Sequence, residues 1–185
     1  MNENKILHIM ILDKFLAPYI DFVDKYFGRD EHHYVFITSE KYEYGLTPEH
    51  KVEFLHTDND IFITLLEYMK TAKKIILHGL WRDKINKLLV NNKELLTKCY
   101  WIIWGGDFFP PINRNEEHIQ IIREIGYLVT GTVGDYELIK KWYGAKGQHI
   151  FNTINYPSNL YKELPKYKKQ KNIINILVGN SATSS

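Results

Sequence analysis

Two residues able to move a proton stand at the ends of apolar segments. His78 closes the segment 74–78, and Asp107 follows the segment 99–104 after two glycines. An imidazole and a carboxylate are common general bases, and a hydroxyl group needs a base when it attacks as a nucleophile. We therefore expect either Asp107 or His78 to accept the proton and the other to orient it or to bind the attacking group. A hydrogen-bonded structural histidine and a helix-capping aspartate are the alternatives.

Glycine and tryptophan residues flank both candidate bases. A glycine allows close approach of a ligand or a second backbone segment, and a tryptophan ring offers a flat apolar face for stacking on a sugar or a base. The glycine pair before Asp107 is expected to bring this carboxylate to the edge of a cleft. We expect an acceptor molecule to contact Trp81, Trp104, Gly105 and Gly106.

Two further loops carry charged residues. Asp13 and Lys14 follow the first apolar segment, and Asp135 lies in the segment 131–135, whose glycines make it similar to a phosphate-binding loop. That segment matches neither the GxGxxG nor the Walker pattern, so a helix capped by Thr132 or Asp135 is the alternative. We include Asp13, Lys14 and Asp135 among the expected acceptor-binding residues, with a capping aspartate and a solvated lysine as the alternative for the first two.

The elements that position these residues follow an alternating order. Short apolar segments alternate with longer segments of helical periodicity, which is typical of βαβ units and a parallel sheet covered on both faces. The sequence predicts an α/β fold, a Rossmann-like three-layer parallel sheet of six or seven strands, with ligands beyond the carboxyl ends of the strands. The predicted strands cover residues 6–12, 34–38, 52–55, 74–78, 99–104, 127–130 and 149–152. The predicted helices lie near residues 18–27, 58–69, 83–90, 115–125 and 133–143.

Composition narrows the classes of function. The chain has 185 residues, enough for one full α/β domain, and 44% hydrophobic with 25% charged residues is typical of a folded protein. A formal net charge of +2 gives no reason to expect nucleic acid as a partner. The single cysteine, Cys99, cannot form an internal disulfide and offers no metal-ligand spacing, so we expect a reducing, cytoplasmic location. No metal and no cofactor are expected. No apolar segment approaches the ~18–20 residues of a membrane-spanning helix.

Composition changes after residue 155. We expect residues 1–155 to form the acceptor-side domain and residues 156–172, which are rich in lysine, to form an interdomain linker. Residues 173–185 have the form of another first strand and are expected to begin a donor-binding domain that the chain does not complete. The loop after that strand suits a diphosphate, because backbone amides at such a place bind anions. The expected donor-binding residues are Gly179, Asn180 and Ser181.

Several short motifs occur in the order that one glycosyltransferase family shows. The sequence resembles the TDP-N-acetylfucosamine:lipid II N-acetylfucosaminyltransferases, glycosyltransferase family 56, which act in enterobacterial common antigen synthesis. The most distinctive match is the tryptophan-glycine-aspartate segment 101–107, and the resemblance spans nearly the whole chain. The sequence departs from the family pattern at 80–81 and at 108–111. The remaining matching segments are 6–9, 78–79, 130, 134–135 and 176–181.

This resemblance implies a GT-B architecture, in which two Rossmann-like domains face each other across a cleft. The N-terminal domain would bind the acceptor, and the C-terminal domain would bind the nucleotide-sugar donor. The reaction implied is an inverting, metal-independent transfer of a hexose, such as a 4-acetamido-4,6-dideoxy sugar, to a polyprenyl-linked or surface-glycan acceptor. A lipid-linked acceptor implies a peripheral position at the inner face of the cell membrane. Phe108, Phe109 and the lysines of 162–171 would suit contact with an anionic membrane surface if exposed, but core packing of the phenylalanines and a solvated lysine linker are the favoured interpretation.

Two other classes of function remain open. A non-catalytic, flavodoxin-like binding module has the same alternation of strands and helices. A small hydrolase using His78 and Asp107 is the other class, but no serine or cysteine lies in a recognisable nucleophile elbow. The transferase is the expected function, and the chain is expected not to turn over alone because its donor-binding domain is incomplete.

Overall fold

Seven apolar segments pair into one sheet in the computed structural model, which describes residues 4–152 and residue 156. All pairings are parallel, and the strand order is β3-β2-β1-β4-β5-β6-β7. The first strand therefore lies inside the sheet, with β2 and β3 on one side and β4 to β7 on the other, so the strand order reverses between β1 and β4. This topology confirms the predicted Rossmann-like α/β fold. The strands are β1 (Ile6–Met10), β2 (His32–Ile37), β3 (Glu53–Leu55), β4 (Lys74–His78), β5 (Cys99–Ile102), β6 (Tyr127–Thr130) and β7 (Gln148–Phe151).

Five α-helices connect these strands within the described part of the chain. Side chains cap two of the helices: Asn115 accepts a hydrogen bond from the His118 amide, and Thr132 accepts one from the Asp135 amide. A π-helical turn, Asp24–Gly28, extends the first helix, and another, Asp60–Leu65, precedes the second. The helices are α1 (Leu16–Val23), α2 (Leu66–Thr71), α3 (Asp83–Asn91), α4 (Glu116–Glu124) and α5 (Val133–Tyr143).

The two faces of the sheet are covered differently. Helices α2 to α5 pack on one face, where the Trp101 ring of β5 is fully buried. Helix α1 packs on the other face over β1 and β2, where Met10, Tyr34 and Phe36 meet Ile20. This division follows from right-handed crossovers, since moving outward to the left and to the right of β1 places helices on opposite faces. The result is the three-layer arrangement that the alternation of segments predicts.

Most predicted elements are present, with differences at the strand ends. Strand β5 ends at Ile102 rather than at residue 104, because the Trp104 amide bonds to the Asp107 carboxylate instead of extending the ladder. Strand β1 ends at Met10, two residues before the predicted end. The predicted linker and donor-binding segments, including Gly179, Asn180, Ser181 and the lysines of 162–171, lie outside the described residues apart from Tyr156.

A helix that crosses a bilayer needs about 20 mostly apolar residues. Among residues 4–152, no helix is both long and apolar enough to cross a bilayer.

Candidate functional site

The loops after β1, β4 and β5 meet at the carboxyl edge of the sheet, at the point where the strand order reverses. His78 and Ile102 are paired in register on neighbouring strands, so the loops that follow them lie side by side. Trp104 joins the two candidate bases. Its amide donates to Asp107 Oδ1 over 3.1 Å, and its indole Nε1 donates over 2.9 Å to the Tyr156 hydroxyl, which bonds to His78 Nδ1. The structure therefore brings the two predicted bases to one edge of the sheet.

The Asp107 carboxylate faces the interior and accepts three hydrogen bonds. The donors are the Trp101 indole at 2.6 Å and the Leu80 amide at 3.2 Å, both to Oδ2, and the Trp104 amide to Oδ1. Its exposed fraction is 0%, so the expectation that the glycine pair carries it to the edge of a cleft is wrong. The reason is that three N–H groups, one on β5 and two on the loops after β4 and β5, satisfy the hydrogen-bonding capacity of the buried carboxylate. Burial raises the pKa of Asp107 to about 6, against the lowering effect of the three donors.

Other side chains hold the backbone of the loop that carries Asp107. His118 Nε2 donates to the Asp107 carbonyl over 2.7 Å, and Asn86 Nδ2 donates over 3.1 Å to His118 Nδ1. Arg114 donates to the carbonyls of Gly106 and Phe109. The Tyr143 hydroxyl donates to the Phe108 carbonyl. The loop after β5 is therefore fixed from several directions, which is the support that a preorganised binding site requires.

His78 is also buried, and both of its ring nitrogens have partners. Nδ1 lies 2.9 Å from the Tyr156 hydroxyl, and Nε2 lies 3.2 Å from His8 Nδ1. His8 Nε2 lies in turn 2.8 Å from His32 Nδ1. Burial lowers the pKa of His78 to about 3, so the ring is neutral at pH 7. An apolar cavity of about 10 Å³ lies beside it, which is room for about one water molecule.

Four aromatic rings form the solvent-facing side of this edge, and we call them the aromatic rim: Phe15, Trp81, Trp104 and Tyr156. Trp104 packs edge-on against Trp81 at 6.3 Å and against Phe15 at 6.2 Å between centroids. Tyr156 stacks with Phe15 at 6.1 Å. Trp81 is 39% exposed and Phe15 is 40% exposed, so both rings offer a face to a ligand.

Two glycines explain how Trp81 reaches its place. A Cβ atom added at Gly79 would collide with the Trp81 indole, and one added at Gly106 would lie 3.0 Å from the same ring. Gly79 and Gly105 also have φ of +87° and +88°, a conformation that residues with a side chain rarely adopt. The space left by the two missing side chains is occupied by the Trp81 indole, whereas the predicted approach of a ligand or a backbone segment stays a prediction.

The remaining predicted acceptor residues lie at different distances from the rim. Asp13 Oδ1 accepts a bond from the Phe15 amide over 3.0 Å, and Lys14 Nζ lies 5.1 Å from the Phe15 ring centre. Both residues therefore border the rim through the loop before α1. Asp135 lies in the first turn of α5, after β6, and no described contact joins it to the rim. The hydrogen bond from the Asp135 amide to the Thr132 hydroxyl matches the helix-capping alternative.

Phe108 and Phe109 do not share one environment. Phe108 is 2% exposed and packs in the core, as the core-packing interpretation predicts for this ring. Phe109 is 56% exposed. The Phe108 ring packs against Trp142 at 6.1 Å between centroids, and the Tyr143 hydroxyl donates to the Phe108 carbonyl. Among the described residues, no group of three or more His, Cys, Asp or Glu side chains could hold a metal ion.

Sequence reasoning missed Tyr156, His8, His32 and Phe15. His8 carried a signal, since an imidazole inside an otherwise apolar strand must find hydrogen-bond partners. Tyr156 carried none, because it precedes a proline in a segment of linker-like composition. Its contact with His78 joins residues 78 positions apart in the sequence, so it depends on the whole fold.

The arrangement can bind a ligand with flat apolar faces and can accept a proton through the Tyr156 hydroxyl and His78. Comparisons with protein-family models, with curated proteins and with solved structures give no match to this chain.

Proposed function

We propose that this chain is the acceptor-binding half of a nucleotide-sugar-dependent glycosyltransferase. The observation that carries the proposal is the aromatic rim closed around the His78–Tyr156 pair, at the place where a parallel sheet binds its ligands. Aromatic faces suit the apolar faces of a sugar ring, and a hydrogen-bonded imidazole suits the removal of a hydroxyl proton. The order of motifs described above adds to this argument.

In the proposed reaction, an acceptor hydroxyl attacks the anomeric carbon of the sugar and the nucleoside diphosphate leaves. The acceptor proton passes to Tyr156 Oη as the tyrosine proton passes to His78 Nδ1, a transfer for which 2.9 Å is a suitable distance. Asp107 positions the loops after β4 and β5 and does not touch the acceptor, because it has no exposed surface. The donor is bound by a second Rossmann-like domain, as in the family that the sequence resembles.

A lipid-linked acceptor would place this edge of the sheet near the inner membrane face. Phe109 is 56% exposed and Ile112 is 90% exposed, and both follow β5 on the loop beside the rim. Two apolar side chains give weak, reversible adsorption rather than stable anchoring. The proposed partners are therefore a nucleotide-sugar donor, a polyprenyl-linked or surface-glycan acceptor and, transiently, a membrane surface.

The proposal is tested first by acceptor binding to the chain itself. A polyprenyl-diphosphate-linked oligosaccharide in detergent micelles should quench tryptophan fluorescence, and Trp81→Ala should weaken binding about tenfold, the equivalent of ~1.4 kcal/mol of stacking. The control is Tyr26→Ala, because Tyr26 is 60% exposed and lies beyond the carboxyl end of α1 at the opposite end of the sheet. Equal binding by the wild type and Trp81→Ala would contradict the proposal.

Turnover is tested in a polypeptide that also carries the donor-binding domain. His78→Gln should lower kcat while the dissociation constant of the donor stays unchanged. Loss of donor binding instead would show that His78 acts on the structure of the site.

A non-catalytic binding module is the second candidate, and one observation favours it. Both carboxylate oxygens of Asp107 and both ring nitrogens of His78 already have partners, and the exposed fractions are 0% and 1%. Such groups are typical of structure rather than chemistry. Trp81-dependent binding without transfer by the two-domain polypeptide would support this candidate over the transferase.

A further inference from the structure

Five side chains form one continuous hydrogen-bonded chain through the sheet, which we call the histidine chain. It runs from Trp104 Nε1 to Tyr156 Oη at 2.9 Å and on to His78 Nδ1 at 2.9 Å. It continues from His78 Nε2 to His8 Nδ1 at 3.2 Å and from His8 Nε2 to His32 Nδ1 at 2.8 Å. Three of its members belong to the strands β4, β1 and β2, so the histidine chain crosses the centre of the sheet.

The register of the sheet explains the alignment. His8 is paired directly with Tyr34 on β2 and with Ile76 on β4, and paired residues point to the same face. His32 and His78 lie two residues from those partners, in opposite directions along parallel strands, and therefore share that face. The three imidazoles form a diagonal from the carboxyl end of β4 to the first residue of β2.

The donor at one end sets the direction of every bond. An indole Nε1 can only donate, so Tyr156 Oη accepts from Trp104 and gives its own hydrogen to His78 Nδ1. His78 must then carry its proton on Nε2 and donate to His8, which carries its proton on Nε2 and donates to His32. The reverse direction would leave the Tyr156 hydroxyl hydrogen without an acceptor among the described residues.

The far end of the histidine chain opens to solvent. His32 is half-buried and lines a groove of about 360 Å³ beside α1, whose walls include Tyr19, Phe27, Lys74 and Tyr100. A groove of this volume has room for water, so a proton on His32 Nε2, the ring nitrogen that is not bonded to His8, can exchange with solvent. The near end lies at the aromatic rim, on the opposite edge of the sheet.

We propose that the histidine chain is a proton relay that carries the acceptor proton from the aromatic rim to the groove beside α1. The proposal rests on the proposed transferase only for the source of that proton. The acceptor O–H bond breaks, and its electron pair forms the new bond to the anomeric carbon as the bond from that carbon to the nucleoside diphosphate breaks and the diphosphate leaves with that electron pair. The acceptor proton joins Tyr156 Oη. The Tyr156 proton moves to His78 Nδ1, and the His78 Nε2 proton moves to His8 Nδ1. The His8 Nε2 proton moves to His32 Nδ1, and the His32 Nε2 proton leaves to water.

One proton enters and one leaves, so no ring keeps a charge. This matters because burial, followed by His78 and His32, holds the pKa of His8 well below its usual range, and burial also lowers the pKa of His78. A buried base that cannot stay protonated needs such an exit. Each passage moves the ring protons to the other nitrogens, and the rings must turn before the next passage.

Charged groups lie near the groove end of the histidine chain. Burial lowers the pKa of His32, Asp24 and Glu31 oppose this effect, and Arg29 adds to it. Tyr19 and Tyr34 pack on His8, with ring centres 5.7 Å and 4.7 Å away. Because Tyr19 and Tyr34 cover the buried His8, the half-buried His32 is the histidine of this group from which a proton can be released to solvent.

The tautomers give the first test, which needs no activity. Long-range ¹H–¹⁵N NMR of the whole protein at pH 7 should show His8, His32 and His78 all neutral and protonated on Nε2. Trp104→Phe, which removes the donor, should produce a mixture of tautomers at His78 and leave His118 unchanged. A proton on Nδ1 or a charged ring at any of the three positions in the wild type would overturn the relay.

Proton exchange gives the second test. His32→Gln should slow exchange of the buried His78 imidazole N–H with water at least tenfold, because an amide cannot pass a proton on. His33→Gln is the matched control, since His33 is the next residue, points to the other face and bonds to Glu53 at 2.8 Å. Equal exchange in the wild type and His32→Gln would overturn the relay.

Turnover separates the relay from the proposed function. In the two-domain polypeptide, His32→Gln should lower kcat about tenfold with KM unchanged. Normal kcat in His32→Gln would overturn the relay and leave the transferase standing. No transfer by the wild type, together with slowed exchange in His32→Gln, would overturn the transferase and leave the relay standing.

Discussion

Replacing Gly79 by alanine tests how the aromatic rim is built. Gly79 has φ of +87°, and an added Cβ would collide with the Trp81 indole. Gly105 provides a matched control, because its φ is +88° and an added Cβ would meet nothing within 4 Å. Both alanine variants pay the same backbone penalty, and only Gly79→Ala must also move the ring.

The expected loss of unfolding free energy has two contributions, the backbone cost of a positive φ and the apolar surface that Trp81 would release. An alanine at a positive φ costs about 1–2 kcal/mol, which is the expected loss for Gly105→Ala. Trp81 is 39% exposed, so it covers more than half of its surface in the rim. Releasing ~100 Å² of that apolar surface costs about 2.5 kcal/mol at ~25 cal/mol per Å². Gly79→Ala should therefore lose roughly 3–5 kcal/mol of unfolding free energy, measured by urea titration at pH 7.5.

A double-mutant cycle isolates the contact. In a Trp81→Ala background the ring is absent, and Gly79→Ala should then cost only about 1–2 kcal/mol, the same as Gly105→Ala. If Gly79→Ala costs the same with and without Trp81, the indole does not depend on the missing side chain and our account of the glycine is wrong.

Two further predictions concern the pH dependence of the unfolding free energy and two other glycines, Gly147 and Gly134. The folded-state pKa of His78 is about 3, and that of His8 is also lowered, so both contribute stability that is full above the unfolded pKa of ~6.5 and is lost as the pH falls toward 3. Asp107 acts in the opposite direction, since its pKa is raised to about 6 and it contributes stability that is lost as the pH rises through that value. The two lowered histidine pKa values outweigh the one raised carboxyl pKa, so urea titrations should show a lower unfolding free energy at pH 4.5 than at pH 7, and an unchanged value would refute the assignment. Gly147→Ala should cost ~3 kcal/mol or more because its Cβ would collide with the Ile125 carbonyl, whereas Gly134→Ala, in open space in α5, should gain about 0.5–1 kcal/mol in thermal or urea unfolding.

The fold is readable from the sequence because local patterns decide it. The segments 74–78 and 127–130 are predicted and observed with identical bounds, since apolar β-branched residues there are bounded by polar or glycine residues. Strand β5 is overpredicted by two residues because an unbroken apolar run continues to Trp104. The run itself does not show that a side chain three residues later takes the amide of Trp104.

The candidate site is only partly readable, for a different reason. Sequence order places His78 and Asp107 at one edge of the sheet, but it does not reveal which way the Asp107 side chain turns. That direction depends on N–H donors from Leu80 and Trp101, which come from two different strands or their loops. Tyr156 reaches His78 across 78 positions of sequence, so no local pattern predicts the contact.

The burial of Asp107 changes where chemistry should be sought at this edge. A carboxylate with three donors and no exposed surface cannot accept a proton from a ligand unless the loop opens, and loop opening breaks bonds to Leu80, Trp101 and Trp104 together. Tyr156 is partly exposed, and its ring belongs to the aromatic rim. In the proposed transferase, an acceptor would meet the aromatic rim first, so its affinity should depend on Trp81 and its rate on the path that leads inward through Tyr156 and His78.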